Sequence, residues 1–205
     1  MNKKERAIRL LRILEDMYPD ANTELKNWNT PFQFLVCIML SAQTTDKQVN
    51  KITQQLFTIY PDTYTMSLAE IKDIEKYISS VNYFHTKAKH IKETANILLR
   101  KYNGEVPITL EELLELPGVG YKTANVFLND LYKANLGIAV DTHVKKTAIK
   151  YRLTKNTDPN KISKDLEKLY PKEEWWKINR YFVLYGRYDF KIDLDLEIDI
   201  VNRVR

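Results

Sequence analysis

The 205-residue chain has a single cysteine, Cys37. One thiol excludes an internal disulfide and any cluster held by several cysteines. It also fits a reducing, intracellular setting. Glycine is scarce too, with five in the whole sequence. Neither the dinucleotide fingerprint nor the P-loop occurs, which speaks against a phosphate-cradling nucleotide fold. No run of about 18 uncharged apolar residues exists, so no membrane span is expected. Behind Met1-Asn2-Lys3-Lys4-Glu5-Arg6 the chain turns at once to a charged amphipathic pattern, so no secretory leader is expected.

What is present is ample apolar material, 44% of residues, enough for a real core. Lys and Arg number 32 against 27 Asp and Glu, a net charge of +5. The last fifteen residues hold three cations and four acids, which leaves 29 against 23 in residues 1–190. Two stretches are richer still. His85–Lys101 carries Lys87, Lys89, Lys92, Arg100 and Lys101 against Glu93, and Asp141–Lys155 carries Lys145, Lys146, Lys150, Arg152 and Lys155 against Asp141. Taken alone, these runs read first as solvated helix faces.

The apolar pattern is helical nearly throughout. Ala7, Leu10, Leu11, Leu14, Met17 and Tyr18 form one stripe at three-to-four spacing, ended by Pro19. Thr30-Pro31 is an N-cap followed by Pro at the first helical position. Phe34–Leu40 is apolar all round and predicts a central buried helix. Ser67 with Glu70, and Thr109 with Glu112, fit capping boxes. Ala88–Tyr102 predicts a helix stopped by Gly104, and further helices are expected over Tyr121–Tyr132, Thr142–Tyr151 and Lys172–Tyr185. An internal division is expected in the polar stretch Asn103–Pro107, with the two chain ends packing together. The tail differs: Ile192, Leu194, Leu196, Ile198 and Ile200 alternate with Asp193, Asp195, Glu197 and Asp199, the period of an extended segment. It is expected to pack its apolar side on the helical body.

The most informative stretch is Leu116-Pro117-Gly118-Val119-Gly120-Tyr121-Lys122-Thr123-Ala124-Asn125. Pro117 stops one helix, and Gly118 and Gly120 permit positive φ and close approach of another backbone. A second helix then opens with unpaired N–H groups and the positive end of its dipole outward. Such a hairpin suits a DNA phosphate, while a plain helix–turn–helix connection is the competing reading. Lys122 lies in the first turn of that second helix. Nineteen residues on comes Val140-Asp141-Thr142-His143, with an acid just before a new helix. An amine nucleophile and a carboxylate make a workable pair for attack at an acetal carbon. Singly, Lys122 reads as a solvated lysine and Asp141 as an N-cap.

Leu40-Ser41-Ala42-Gln43-Thr44-Thr45-Asp46, Lys87-Ala88, Asn103-Gly104-Glu105-Val106-Pro107, Leu116–Asn125, Val140–His143 and Gly186-Arg187-Tyr188 occur together and in order. On these the chain, from about Leu10 to Tyr188, resembles the endonuclease III family of helix-hairpin-helix DNA glycosylases. The resemblance implies an all-α, two-lobed fold with DNA in the cleft between lobes: a helical core over 1–190, and an irregular or extended tail over 191–205. It implies a monomeric bifunctional DNA glycosylase and abasic-site lyase acting on oxidised pyrimidines in duplex DNA, inside the cell and, if the source is prokaryotic, in the cytoplasm or nucleoid. Lys122 matches the family's Schiff-base lysine and Asp141 its catalytic aspartate. Gln43 matches the residue that fills the gap left by a flipped nucleotide, and Tyr83 the wedge beside it. Lys87, Gly118, Gly120, Tyr121, Thr123 and His143 complete the expected DNA contacts, with a monovalent cation on the hairpin carbonyls.

Three departures from the family pattern stand out. Phe190 occupies the first position of a four-cysteine [4Fe–4S] motif and no cysteine follows, so no cluster is expected. Tyr121 stands where arginine is common. Asn82 replaces a glycine, and is expected to preserve the turn because Asn tolerates a left-handed backbone. Branches that excise a base with activated water generally lack a lysine at position 122, and Ser41-Ala42-Gln43 favours pyrimidine over oxidised purine. A non-catalytic helix-hairpin-helix DNA-binding protein is the alternative from another class.

Overall fold

The fold was obtained as a computed structural model in which residues 1–194 are described. Among them there are helices and no strand. The chain divides into two units, one of Met1–Asn22 with Lys133–Arg205 and one of Thr23–Tyr132.

The second unit holds α2 (Pro31–Ser41), α3 (Asp46–Ile59), α4 (Thr63–Leu68), α5 (Ile71–Ile78), α6 (Phe84–Tyr102), α7 (Leu110–Leu114) and α8 (Tyr121–Tyr132). α2 is its centre. Thr30 caps it through Gln33 N, Pro31 takes the first position, and residues Phe32 to Leu40 are all buried. That is what an all-round apolar helix requires. Phe34 stacks on Phe127 of α8 with centroids 6.1 Å apart. The buried Gln33 is satisfied, donating to Pro61 O at 2.8 Å and accepting from Asn29 N at 2.7 Å.

Two sequence expectations are corrected here. Ser67 does not open a helix: it lies inside α4, and its hydroxyl donates back to Tyr64 O. Asp62 already starts that helix one turn earlier through a reciprocal box with Thr65, and Glu70 precedes α5 with no side-chain cap. Nor does the stretch 103–107 divide the chain. Asn103 (φ 52) and Gly104 (φ 85) end α6, and Thr63 Oγ1 donates to Gly104 O at 2.8 Å, which ties the turn to α4. The boundaries fall instead at 22/23 and 132/133.

The first unit holds α1 (Lys3–Met17), α9 (Thr142–Lys150), α10 (Pro159–Glu167) and α11 (Trp175–Leu184). A 3-10 turn, Lys172–Glu174, precedes α11, and a π turn, Tyr185–Asp189, follows it. Its core joins Leu10, Leu11 and Leu14 of α1 to Val144 and Ala148 of α9, Ile162 and Leu166 of α10, and Ile178 and Phe182 of α11. Leu194 joins the same core. Ile192, expected on the packed side, is half exposed, because the chain is still turning there through the Ile192 N to Asp189 O bond. Leu196, Ile198 and Ile200, with the rest of the alternating stretch, lie outside the described residues.

Candidate functional site

The hairpin is built from α7, the turn Glu115–Gly120 and α8. Thr109 caps α7, and Leu113, Leu116 and Val119 are buried beneath the turn. Val119 N donates to Leu116 O, and Thr94 Oγ1 of α6 donates to Pro117 O at 3.0 Å. Gly118 needs to be glycine twice over. Its φ is +76, and a Cβ there would sit 2.8 Å from His90 Nδ1 and 3.1 Å from Met39 Cε. Gly120 differs from expectation: it is not left-handed, and an added Cβ would meet nothing within 4 Å. Within the chain neither φ nor packing demands glycine at that position, and its bare Cα faces solvent.

Beyond Gly120, the first α8 bond runs from Ala124 N to Gly120 O, so the amides of Tyr121, Lys122 and Thr123 precede it. Buried Ala124, Asn125, Phe127 and Leu128 hold the helix down, while Tyr121 and Lys122 are exposed and Thr123 is half-buried. Lys122 therefore stands exposed at the open end of a helix whose following residues are buried.

Asp141 is the N-cap of α9. Its Oδ1 accepts from both His143 N at 2.9 Å and Val144 N at 2.8 Å, which leaves Oδ2 outside the cap. His143 is half-buried and its enclosed Nδ1 has no partner. Gly186 of the π turn lies against it, where a Cβ would come 2.8 Å from His143 Cβ. The π turn thus seats directly on the first residues of α9. Asp141 and His143 belong to the first unit, and Lys122 and the hairpin to the second.

A further group in the second unit gathers at the loop between α2 and α3. Gln43 and Tyr83 are both exposed, and both are non-glycine residues in the left-handed region, at φ 55 and φ 59. The expectation for Asn82 is corrected: Asn82 is not left-handed, and Tyr83 after it is. The Asn82 side chain instead donates from Nδ2 to Gln43 O at 2.7 Å. Lys87, expected at DNA, is also corrected. Only 8% exposed, it donates from Nζ to Leu40 O at 2.8 Å, Ala42 O at 2.7 Å and Thr44 Oγ1 at 3.4 Å. Burial holds its pKa below the usual lysine value. All three ammonium protons are engaged on the carboxyl end of α2 and its loop, which is where a cation suits the helix dipole.

Several members of the two basic runs are likewise committed internally. Lys92 Nζ donates to Ala69 O, Lys101 pairs with Glu115, and Lys145 donates to Thr157 O. Lys150 holds Phe190 O, Ile192 O and Asp193. Periodicity could not show this, since a lysine bonded within the chain and a free one look alike in sequence.

Cys37 is fully buried in α2, and burial pushes its thiol up to about 12. That is the reverse of a thiolate ligand's setting. Among the described residues no group of three or more His, Cys, Asp or Glu is placed to share a metal ion. The lone cysteine does not fit a four-thiolate cluster.

Residues 36–172 match the family described as HhH-GPD superfamily base excision DNA repair protein. The chain is 43% identical over 186 residues to endonuclease III of Synechocystis sp., covering 91% of this chain and 84% of that protein. It is 36% identical over 188 residues to endonuclease III of Escherichia coli, covering 92% and 88%. Among solved structures it is similar to a trapped endonuclease III–DNA covalent intermediate, an estranged-adenine complex. The TM-score is 0.85 at 36% identity, with 95% of this chain and 91% of that one covered. A non-covalent endonuclease III–DNA complex matches with the same TM-score and identity.

Proposed function

The chain belongs to the endonuclease III family of HhH-GPD base excision DNA repair proteins, and from that we propose a bifunctional DNA glycosylase and abasic-site lyase acting on oxidised pyrimidines in duplex DNA. The observation that carries the reading is the exposed Lys122 in the first turn of α8, set directly behind a hairpin whose amides are open to a phosphate. The bare Cα of Gly120 lets a phosphate oxygen approach those amides without meeting a side chain.

A base inside the duplex is out of reach, so the nucleotide is flipped out at a cost of a few kcal/mol. Ring-saturated pyrimidines stack poorly and lower that cost. Gln43 and Tyr83 take up the space that the flipped nucleotide leaves. The Lys122 amine attacks C1′ of the flipped sugar, an N–C bond forms, and the glycosidic bond breaks with its electron pair leaving on the base. The Asp141 carboxylate offsets the positive charge that develops on the sugar. Ring opening gives an iminium that acidifies the 2′ hydrogen. Loss of that proton expels the 3′ phosphate, and hydrolysis of the iminium returns the lysine. The reading includes no iron–sulfur cluster, in keeping with the single buried thiol, and a bacterial intracellular site of action.

The test is borohydride trapping on duplex DNA containing dihydrouracil. The wild-type protein is expected to give a covalent adduct, and Lys122→Ala none, while keeping DNA affinity within about threefold. Undiminished trapping in Lys122→Ala refutes the nucleophile. Absence of trapping and of base release by the wild-type protein favours the non-catalytic alternative.

A further inference from the structure

Two exposed side chains, Gln43 and Tyr83, sit on left-handed backbone. That conformation is unfavourable for any residue with a Cβ, and it persists only where the surroundings over-determine it. The restraints are visible. Thr44 N donates to Ser41 O, and the buried Lys87 ammonium holds Leu40 O and Ala42 O, which fixes the chain up to Gln43. Lys87 N donates to Tyr83 O, which fixes the chain after Tyr83. Gln48 Nε2 donates to Ser80 Oγ and draws the start of α3 to the turn before α6. The remaining restraint is Asn82, whose Nδ2 reaches Gln43 O at 2.7 Å. It is the bond that joins the two left-handed residues through their own loops, because Asn82 is covalently next to Tyr83.

We propose that Asn82 is a positioning residue: its side-chain amide fastens the Gln43 loop to the Tyr83 turn, so that both side chains enter the duplex as one preset unit. This rests on the reading of Gln43 and Tyr83 as the residues that fill the opened duplex. Fixing the Gln43 carbonyl fixes the peptide plane after it, and with it the direction in which the Gln43 side chain leaves the backbone. A loop ordered in advance does not spend binding free energy on becoming ordered. The bond is open to water in the free protein, and exclusion of water at the DNA surface strengthens it when it is needed. Asn82 itself has ordinary φ, so backbone tolerance does not account for an asparagine there.

The experiment is a double-mutant cycle on the full chain: wild type, Asn82→Ala, Gln43→Ala and the double variant. Single-turnover base release is measured on a dihydrouracil duplex at fixed salt, beside cleavage of an abasic site in single-stranded DNA, which has no gap to fill. Asn82→Ala is expected to slow duplex base release about three- to tenfold, the range of one amide hydrogen bond. It should leave single-strand cleavage and the melting temperature unchanged. In the Gln43→Ala background it should add less than about twofold. Asn82→Leu, of similar shape but without a donor, should behave as Asn82→Ala and covers the case in which truncation alone disturbs the turn. Full duplex activity in Asn82→Leu, or losses that multiply in the double variant, would overturn the clamp while leaving the site reading intact. Full duplex activity in Gln43→Ala alone would overturn the reading of Gln43 as gap filler, and the clamp with it.

Discussion

Gly118 and Gly120 lie two residues apart in one hairpin, yet the same substitution should do opposite things at the two positions. At Gly118, alanine would be held at φ +76, a region that costs an L-residue roughly 1–2 kcal/mol. Its Cβ would also lie 2.8 Å from His90 Nδ1 and 3.1 Å from Met39 Cε. The His90 ring is half-buried and can give way in part, and overpacking of this kind costs about 1–3 kcal/mol. Together these place the destabilisation of Gly118→Ala at about 2–5 kcal/mol, a fall in melting temperature of roughly 4–20 °C for a chain of this size. At Gly120, the Cβ meets nothing within 4 Å and φ is not left-handed. Gly→Ala at such a position stabilises by about 0.4–1 kcal/mol through the unfolded chain. The melting temperature of Gly120→Ala should therefore hold or rise slightly.

DNA affinity should divide the other way. If the α8 amides take a phosphate as proposed, the Gly120 Cβ would stand in its way, and loss of one charged hydrogen bond costs about 1.5–3 kcal/mol, tenfold or more in Kd. Circular dichroism melts and anisotropy on one lesion duplex, at one salt concentration, give both numbers. The reasoning fails if Gly120→Ala melts as early as Gly118→Ala. It also fails if Gly120→Ala binds DNA as tightly as the wild-type protein does.

Other outcomes follow from single observations. Purified protein should contain no stoichiometric iron by elemental analysis, since a [4Fe–4S] cluster takes four thiolates and the chain's one thiol is buried in α2 and pushed up to about 12. Leu194→Ala should lower stability by about 2 kcal/mol, and the melting temperature by roughly 4–8 °C, because Leu194 is 7% exposed within the first unit's core. An unchanged melt would show that this packing contributes nothing. Asp141→Asn should keep the α9 cap and the melting temperature, yet slow base release more than cleavage of preformed abasic sites.

Local signals were legible in the sequence, and long-range ones were not. Thr30-Pro31 marked the start of α2, and the unbroken apolar run after it marked burial, because both depend on neighbours in the chain. The Tyr121–Tyr132 helix was read to the residue, since Gly118 and Gly120 punctuate its start. Ser67 failed as a cap because Asp62 and Thr65 close a stronger box five residues earlier, a competition that a four-residue pattern cannot see. Lys87 read as a surface cation because its carbonyl partners lie 45 and 47 residues away. Asn82 was read for its backbone, while its contribution is a side-chain bond across 39 residues. The family resemblance marked positions 43, 83, 122 and 141, but could not say which neighbours hold them.

Two readings of Asp141 compete in sequence, and the cap bonds of the structure leave room for both. As an N-cap its carboxylate would be structural, and as a catalytic group it would be free to face a sugar. The two cap bonds both fall on Oδ1, from His143 N and Val144 N, so capping uses one oxygen and fixes the plane of the other. A charge held still before the reaction stabilises developing positive charge without reorganising, which a mobile carboxylate cannot do. If Asp141 acts as proposed, the cap is the device that orients its charge. Asparagine is as good an N-cap as aspartate, and its side-chain oxygen can take the place of Oδ1. Asp141→Asn therefore removes the charge and leaves the orientation. Base departure develops positive charge at C1′, whereas elimination from an existing aldehyde begins after that charge has been dealt with. Single-turnover base release should fall by more than about tenfold, and abasic-site cleavage by a smaller factor. Equal losses on the two substrates at an unchanged melting temperature would assign Asp141 to the cap alone.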